Sequence, residues 1–339
     1  MPSRVNRDLT TETSIEELTR IGAGCCGSVW ADKNSSTNND VASCIKREDG
    51  SSGRSLVNEH YIHQLVIQAI ELNPQHATSF RVPLCRGFLH KHDDEDWSRV
   101  LPRLPPGSTA CNALLSEKVQ PVSEQARNLI VAKFAKAEGH DHDAIINDKK
   151  NEHCLIRPYL GRRKRDRGYT GRPTFFSLRN FPLYVNRMIE LGLDVESYTK
   201  VMAEGLAFLH WVARIDANDV EFVLARPRPR TNSHPHSQFD TSILGPHSMW
   251  IIDFDCCDPI TMDKEGVETA AQSFWRNDPY YPRPGSDNYF DQKLWAIFRV
   301  HFLQTSEGIL ENETPSSVRG LPSLLMDKIV EMGIKRAMI

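Results

Sequence analysis

The feature that most constrains this 339-residue chain is a glycine-rich segment near its N-terminus. Residues 21–29 read Ile-Gly-Ala-Gly-Cys-Cys-Gly-Ser-Val, which places Gly22, Gly24 and Gly27 in the pattern G-x-G-x-x-G-x-V. Glycines let a backbone approach a ligand closely and expose N–H groups that bind phosphate. The same pattern is also typical of a tight hairpin without a ligand, so its meaning depends on the residues that follow.

Charged residues follow the glycine segment at spacings that restrict the fold further. Lys46 ends a predicted strand at 41–46, and Glu59 lies on a predicted helix at 55–72. Three features then follow in the second half of the chain, which are Asp216, the segment Glu221-Phe222-Val223-Leu224 and the triplet Asp253-Phe254-Asp255. In this order and at these gaps, the set resembles the protein-kinase fold.

This resemblance predicts an α+β fold that is protein-kinase-like and has two lobes. The chain is expected to divide into a flexible N-terminus (1–14), a strand-rich N-terminal lobe with insertions (15–156), a hinge (157–161) and a larger helical C-terminal lobe (162–339). Apolar periodicity in the second lobe predicts helices at 181–192, 195–211 and 288–303.

The match to a kinase is incomplete in the catalytic loop. A kinase loop reads H-R-D-x-x-x-x-N, whereas this chain keeps the aspartate as Asp216 and has Glu221 at the position of the metal-binding asparagine. Lys46 can still pair with Glu59, and Asp253 can still hold a metal. A phosphotransferase that uses ATP and magnesium, and a pseudokinase that only binds partners, are therefore open alternatives.

Carboxylates crowd the expected floor of the pocket, which changes the ligand that it favours. They belong to Asp216, Asp219, Glu221, Asp253 and Asp255. Such a cluster repels ATP phosphates unless metal ions neutralise it. A guanidinium has a fixed fork of donors that matches carboxylates two at a time, and a carboxylate beside an amine can act as a general base. The floor therefore favours a cationic ligand.

Several segments together resemble a fungal family that contains the arginine-containing cyclodipeptide synthases and whose members were long described as hypothetical or "zinc finger" proteins. The segments are the glycine loop and residues 157–163, 216–224, 250–255 and 277–284. The resemblance covers residues 15–335, which is most of the chain.

The resemblance implies a reaction that needs no cofactor. Such enzymes take arginine from arginyl-tRNA and a second amino acid from another aminoacyl-tRNA, and they close a cyclo(Arg-Xaa) diketopiperazine for secondary-metabolite biosynthesis. The two esters already carry the activation energy, so ATP is not required. The family's acidic motif of the D-D-x-x-E type falls on Asp216, Asp219 and Glu221, although Asn218 stands where a second adjacent aspartate is expected.

The residues allow specific roles to be assigned as hypotheses. Either Glu221 or Asp219 is expected to deprotonate the attacking amine, while the other holds the arginine side chain. His210 is a candidate proton donor to the leaving 3′-hydroxyl, and Ser28 and Cys25 are candidate nucleophiles if an aminoacyl-enzyme forms. The residues expected to bind the substrate are Gly22, Gly24, Gly27, Lys46, Glu59, Asp253 and Asp255.

A concentrated basic segment follows the predicted hinge. Its cations are Arg162, Arg163, Lys164, Arg165, Arg167 and Arg172. Such a stripe can follow tRNA phosphates with a salt-dependent affinity, and Arg226, Arg228 and Arg230 can extend it. We therefore expect these cations to bind tRNA.

Composition excludes several other classes of protein. The net charge of −3 excludes a globally basic protein of the histone type, so DNA is not an expected partner. The eight cysteines include no C-x-x-C pair, which argues against a structural zinc site and predicts reduced thiols. No apolar run reaches about 18 residues and no secretion signal opens the sequence, so a cytoplasmic location without membrane attachment is expected.

Overall fold

The computed structural model describes residues 17–32, 42–51, 53–135, 139–164, 176–228, 238–277, 279–313 and 315–337. The expected flexible N-terminus at 1–14 lies outside these residues, as do Arg165, Arg167, Arg172 and Arg230.

The first half of the described chain builds an antiparallel sheet. Its strands are β1 (Leu18–Ala23), β2 (Ser28–Asp32), β3 (Ser43–Arg47), β4 (Cys85–Leu89) and β5 (Ala113–Glu117), in the order β1-β2-β3-β5-β4. The glycine segment forms the turn between β1 and β2, where the Gly24 amide donates to the Gly27 carbonyl over 2.8 Å. The glycine segment therefore forms the tight turn of an antiparallel hairpin.

Helix α1 (Leu56–Leu72) connects β3 to β4 and confirms the helix predicted at 55–72. Ser55 caps its first turn by accepting from the Asn58 amide, as small hydroxyl residues do at helix starts. Its buried positions include Ile62 and Val66, and also the charged Glu59. A carboxylate on the buried side of an otherwise apolar helix requires a partner, and Lys46 supplies it.

A second sheet occupies the next part of the chain. Its strands are β6 (Ile156–Tyr159), β7 (Phe181–Tyr184), β8 (Glu221–Ala225), β9 (Phe239–Thr241) and β10 (Gly245–Ile252), in the order β7-β6-β8-β10-β9. Strands β6 and β7 are parallel, and the other neighbours are antiparallel. The start of β8 and the end of β10 lie side by side, since Glu221 pairs with Ile252.

The other helices of the described chain lie between and after these strands. They are α2 (Asp94–Val100), α3 (Glu124–Ile130), α4 (His142–Asn147), α5 (Val185–Glu190), α6 (Val195–Trp211), α7 (Lys264–Arg276), α8 (Tyr289–Leu310) and α9 (Leu321–Ala337). Helix α6 is buried on nearly every side and packs along α8, where the Trp211 indole donates to Ser306 over 2.8 Å. This core supports the loop that follows α6.

The fold is therefore α+β and two-lobed, with a strand-rich first region and a helical second region. The helices predicted at 195–211 and 288–303 are confirmed as α6 and α8. The helix predicted at 181–192 is wrong over its first four residues, which form β7. The reason is tertiary, because these residues pair with β6 in a parallel register.

The strands show where the predicted hinge lies relative to the two sheets. The segment 157–161 overlaps β6, which already belongs to the second sheet. The chain leaves the first sheet earlier, at Glu117, and reaches the second at Ile156. Helices α3 and α4 lie in the connection.

Candidate functional site

A cavity of about 480 Å³ lies between the two sheets. It is lined by every residue expected to bind the substrate, which are Gly22, Gly24, Gly27, Lys46, Glu59, Asp253 and Asp255. Asp219 and Glu221, which we expect to be catalytic, line it as well. The volume lies within the range of roughly 300–1,000 Å³ that is usual for small-molecule sites.

Lys46 connects the two lobes through two carboxylates. Its Nζ lies 2.7 Å from Glu59 Oε2 on α1 and 2.7 Å from Asp253 Oδ1 after β10. Burial lowers the pKa of Lys46, but the two carboxylates outweigh burial and hold this pKa well above its usual value. The lysine is therefore charged at neutral pH. This contact is the arrangement expected of a kinase-like fold.

Glu221 is held by Arg157 on the neighbouring strand. Arg157 Nη2 lies 2.6 Å from Glu221 Oε2, because β6 pairs with β8 and brings the two residues to the cavity wall. The pKa of Glu221 is raised to about 7, mainly by burial, while Arg157 opposes this shift and the charge of Asp253 adds to it. Glu221 therefore changes its protonation near neutral pH.

A second guanidinium binds the other two carboxylates of the floor. Arg54 Nη1 lies 2.9 Å from Asp219 Oδ2 and 3.0 Å from Asp255 Oδ1, and it also contacts the Cys256 sulfur. The Asp255 side chain is 3 % exposed, whereas that of Asp219 is 52 % exposed. Asp219 is thus the carboxylate that a ligand entering from solvent reaches first.

The backbone around these carboxylates is strained. Arg214, Ala217, Asp219 and Asp253 all have positive φ, between 54° and 67°. A non-glycine residue in this region costs on the order of 1–3 kcal/mol and persists only when the surroundings hold it. The carbonyl of Cys256 accepts from the Asn218 amide group over 3.0 Å and so joins the two strained segments. Clustered strain of this kind is typical of functional sites.

Asp216 does not line the cavity, although the sequence places it among the catalytic residues. Its Oδ1 accepts from the backbone amides of Asn218 and Asp258, and its Oδ2 accepts from Ser273 Oγ over 3.0 Å. Asp216 is buried, and burial raises its pKa. Its contacts fix the strained loop, so its position fits a residue that orients Asp219 rather than one that touches substrate.

The other candidate groups differ in how they face the cavity. His210 does not line it, and its Nδ1 donates to the Ile215 carbonyl over 2.9 Å. Burial lowers the pKa of His210 to about 4, so this imidazole is neutral at neutral pH. Because His210 also lies outside the cavity, it is not positioned to donate a proton to a ligand bound there. Ser28 donates to Asp49 and does not line the cavity either, whereas Cys25 does.

The cavity contains more negative than positive side chains. Glu59, Asp219, Glu221, Asp253 and Asp255 are opposed by Lys46, Arg54 and Arg157. A sixth carboxylate, that of Glu117, also lines the cavity and is paired with Arg228. Each cation already binds a carboxylate, so the uncompensated charge is negative. Arg54 and Arg157 were not predicted as site residues, because nothing in the spacing of a lone arginine marks it.

The described part of the basic segment lies away from this cavity. Arg163 binds Asp291 over 2.7 Å and also Asn288, and the Lys164 ammonium lies over the ring of Tyr184. Arg162 does not line the cavity either. The expectation that the segment 162–172 binds tRNA therefore stays a prediction.

Comparison with family models gives a match over part of the chain. A family described as "Zinc finger protein" matches residues 249–314, which include β10 from Met249, α7 and all of α8. No curated protein matches the chain.

The description of this family raises the question of whether the chain has the ligands of a zinc site. A structural zinc site uses four ligands, usually cysteine and histidine. Within the described ranges, the one group of three possible ligands close enough for a metal ion is Asp219, Asp255 and Cys256. Arg54 binds all three, so in this structure a guanidinium takes the place where a cation would bind.

No helix in the described part of the chain is both long enough and apolar enough to cross a membrane.

Proposed function

We propose that this protein is an arginine-containing cyclodipeptide synthase that acts on arginyl-tRNA and a second aminoacyl-tRNA. The observation that carries the proposal is the pairing of the cavity's carboxylates with guanidinium groups. Arg54 binds Asp219 and Asp255, and Arg157 binds Glu221. The site is thus built to accept the same chemical group that the arginine side chain of a substrate carries.

The half-exposed Asp219 supports a binding role for this carboxylate. An incoming guanidinium meets Asp219 from the solvent side, and it can replace Arg54 on Asp219 and Asp255 without leaving either carboxylate unpaired. Arg54 directly precedes the Ser55 cap of α1 and is itself 26 % exposed, so it can withdraw to water. The proposed role of the Asp219–Asp255 pair is therefore recognition of the arginine side chain.

Glu221 is the general base in this proposal. Its pKa of about 7 lets the carboxylate accept a proton from the α-ammonium of one aminoacyl group at neutral pH. The freed amine attacks the ester carbonyl of the other aminoacyl group, the carbon–oxygen bond to the ribose breaks, and the 3′-oxygen takes a proton. A second attack of the same kind closes the ring. Two esters are converted to two amides and two hydroxyls, so the balance requires neither ATP nor a redox cofactor.

A second candidate function is a phosphotransferase that uses ATP and magnesium. The contact of Lys46 with Glu59 and Asp253 favours it, because kinases position nucleotide phosphates with the same trio. However, Glu221 and Asp255, which flank Asp253 and would complete a metal site, are bound by arginines. The third candidate is a pseudokinase that only binds partners, and a folded protein that catalyses neither reaction would support it.

The proposal places the protein in the cytoplasm, where charged tRNAs are found, and in a secondary-metabolite pathway that consumes the diketopiperazine. The test is expression of the chain in a microbial host, followed by mass spectrometry of the culture for cyclo(Arg-Xaa) masses. Labelled arginine must shift the product mass. If no labelled diketopiperazine forms while the protein is folded, and ATP with magnesium raises its melting temperature, the phosphotransferase replaces the synthase.

A further inference from the structure

A second cleft, of about 530 Å³, adjoins the cavity described above. It lies where the chain crosses from the first sheet to the second, between the end of β5, α3, α4 and the residue after β8. Pro121 and His153 line both spaces, so the two share a wall. A ligand that is longer than the first cavity can therefore extend into the cleft.

Cations dominate the lining of this cleft. Lys118, Arg127, Lys149 and Arg226 face Glu124 and Glu152. Neither glutamate forms an ion pair with a described residue, and both are exposed at the rim. Lys149 is exposed, and its ammonium has no hydrogen-bond partner among the described residues.

Two buried nitrogen atoms of the lining also lack partners. Arg127 donates through Nη1 to the Asn151 carbonyl over 3.3 Å, but its buried Nε has no acceptor in the described chain. The buried Nδ1 of His153 has none either. Buried polar groups normally have hydrogen bonds, so these two nitrogen atoms are available to a ligand that enters the cleft.

The cations of the cleft also repel one another. Burial lowers the pKa of Lys118, Cys44 and Asp32 oppose this shift, and the charge of Arg226 acts in the same direction as burial. Burial lowers the pKa of His153 to about 4, with Lys118 and Arg127 acting in the same direction. An anion in the cleft would relieve this repulsion.

We propose that this cleft binds backbone phosphates of the single-stranded RNA end whose terminal aminoacyl ester occupies the neighbouring cavity. The inference rests on the proposed function and adds the place where the tRNA meets the protein. An RNA end carries both required parts, a row of phosphates for the basic cleft and a terminal ester for the acidic cavity. Single strands are commonly bound through such positively charged grooves.

The test measures binding of uncharged tRNA to the full chain by fluorescence anisotropy over a range of salt concentrations. We compare Lys149→Glu with Lys335→Glu, because both lysines are exposed and Lys335 lies on α9, outside the cleft. The charge reversal at Lys149 is expected to weaken binding about tenfold and to reduce the slope of log Kd against log salt by about 0.7 per lost phosphate contact. Arg226→Gln should add to this loss, and Lys335→Glu should leave both quantities unchanged.

Equal affinities and salt slopes for the Lys149 and Lys335 variants would overturn the proposal. So would a Lys149 variant that loses binding of ATP while it keeps binding of tRNA, because the anion would then be a free nucleotide. Failure of the proposed function looks different. In that case tRNA binds through the cleft with the expected salt dependence, but no diketopiperazine forms from charged tRNA.

Discussion

The guanidinium of Arg157 lies 2.6 Å from the carboxylate of Glu221, at the position where a kinase loop carries a metal-binding asparagine. This contact holds an ionisable carboxylate at the cavity wall while burial raises its pKa to about 7. The Glu221 carboxyl can therefore exchange a proton near neutral pH. The pH dependence of the proposed reaction should therefore follow the protonation of Glu221.

The rate of cyclodipeptide formation should rise with pH through a midpoint near 7. Glu221 is protonated below this pH and cannot accept a proton from the amine, whereas above it the carboxylate is free to do so. Glu221→Gln should lower the rate by roughly 100-fold or more, as loss of a general base does. The measurement is the initial rate between pH 5.5 and 8.5, at saturating aminoacyl-tRNA.

Two variants test whether the pH midpoint of the rate belongs to Glu221. Burial also raises the pKa of Glu59 to about 7, so Glu59→Gln must keep the midpoint if Glu221 is responsible. Glu221→Asp should move it, because aspartate has a lower intrinsic pKa. A midpoint that is the same in Glu221→Asp would belong to the substrate amine and would contradict the assignment.

Substitution of Asp216 should mainly lower the stability of the protein, whereas substitution of Asp219 should mainly lower product formation. Asp216→Asn disturbs three hydrogen bonds in a buried loop and is expected to reduce the free energy of unfolding by about 1–3 kcal/mol. Asp219→Asn changes a half-exposed side chain at positive φ, which asparagine tolerates well, so stability should change by less than about 0.5 kcal/mol. Denaturant unfolding checks both values. Product formation should fall in the stable Asp219 variant, and normal activity there would exclude Asp219 from recognition.

Removal of the Arg54 guanidinium should improve binding of free guanidinium ligands. Arg54 occupies Asp219 and Asp255, so a ligand such as L-argininamide must displace it. Arg54→Ala is expected to tighten argininamide binding about fivefold, which corresponds to ~1 kcal/mol for a partly exposed ion pair. Isothermal titration calorimetry measures the change, with Arg54→Lys as the charge-preserving control. Weaker binding in Arg54→Ala would show that Arg54 does not compete for this place.

The glycines of the loop should respond differently to the same substitution. A Cβ at Gly27, whose φ is +152°, would lie 2.0 Å from the Arg47 carbonyl oxygen, whereas a Cβ at Gly24 would meet nothing within 4 Å. Gly27→Ala should therefore lower the free energy of unfolding by about 2 kcal/mol or more, while Gly24→Ala should leave it unchanged. Thermal and denaturant unfolding of the two variants test this. A stable Gly27→Ala protein would mean that the turn can adopt another backbone conformation.

Much of the fold follows from local signals in the sequence. The glycine turn, Ser55 at the start of α1 and the apolar periodicity of α6 and α8 each act over a few residues, and they were predictable. Strand β7 was not, because its pairing with β6 joins residues about 25 positions apart and local propensity does not record it.

The site was predictable to the extent that its residues belong to a spaced motif. Lys46, Glu59 and Asp253 meet as their order along the chain implies. Arg54 and Arg157 carry no such spacing, and only the folded chain brings them to the carboxylates. Asp216 belongs to the motif by spacing, but its hydrogen bonds lie beneath the loop rather than in the cavity. A spaced motif therefore predicts which residues lie near the site, whereas the contacts of each residue in the folded chain indicate its role.

The most direct test of the account uses the purified protein with arginyl-tRNA, a mixture of other aminoacyl-tRNAs and no ATP. We expect cyclo(Arg-Xaa) to accumulate, prior hydrolysis of the aminoacyl esters to abolish it, and Glu221→Gln and Asp219→Asn to lose it while remaining folded. Release of no diketopiperazine from intact charged tRNAs by folded wild-type protein would contradict the proposed synthase activity.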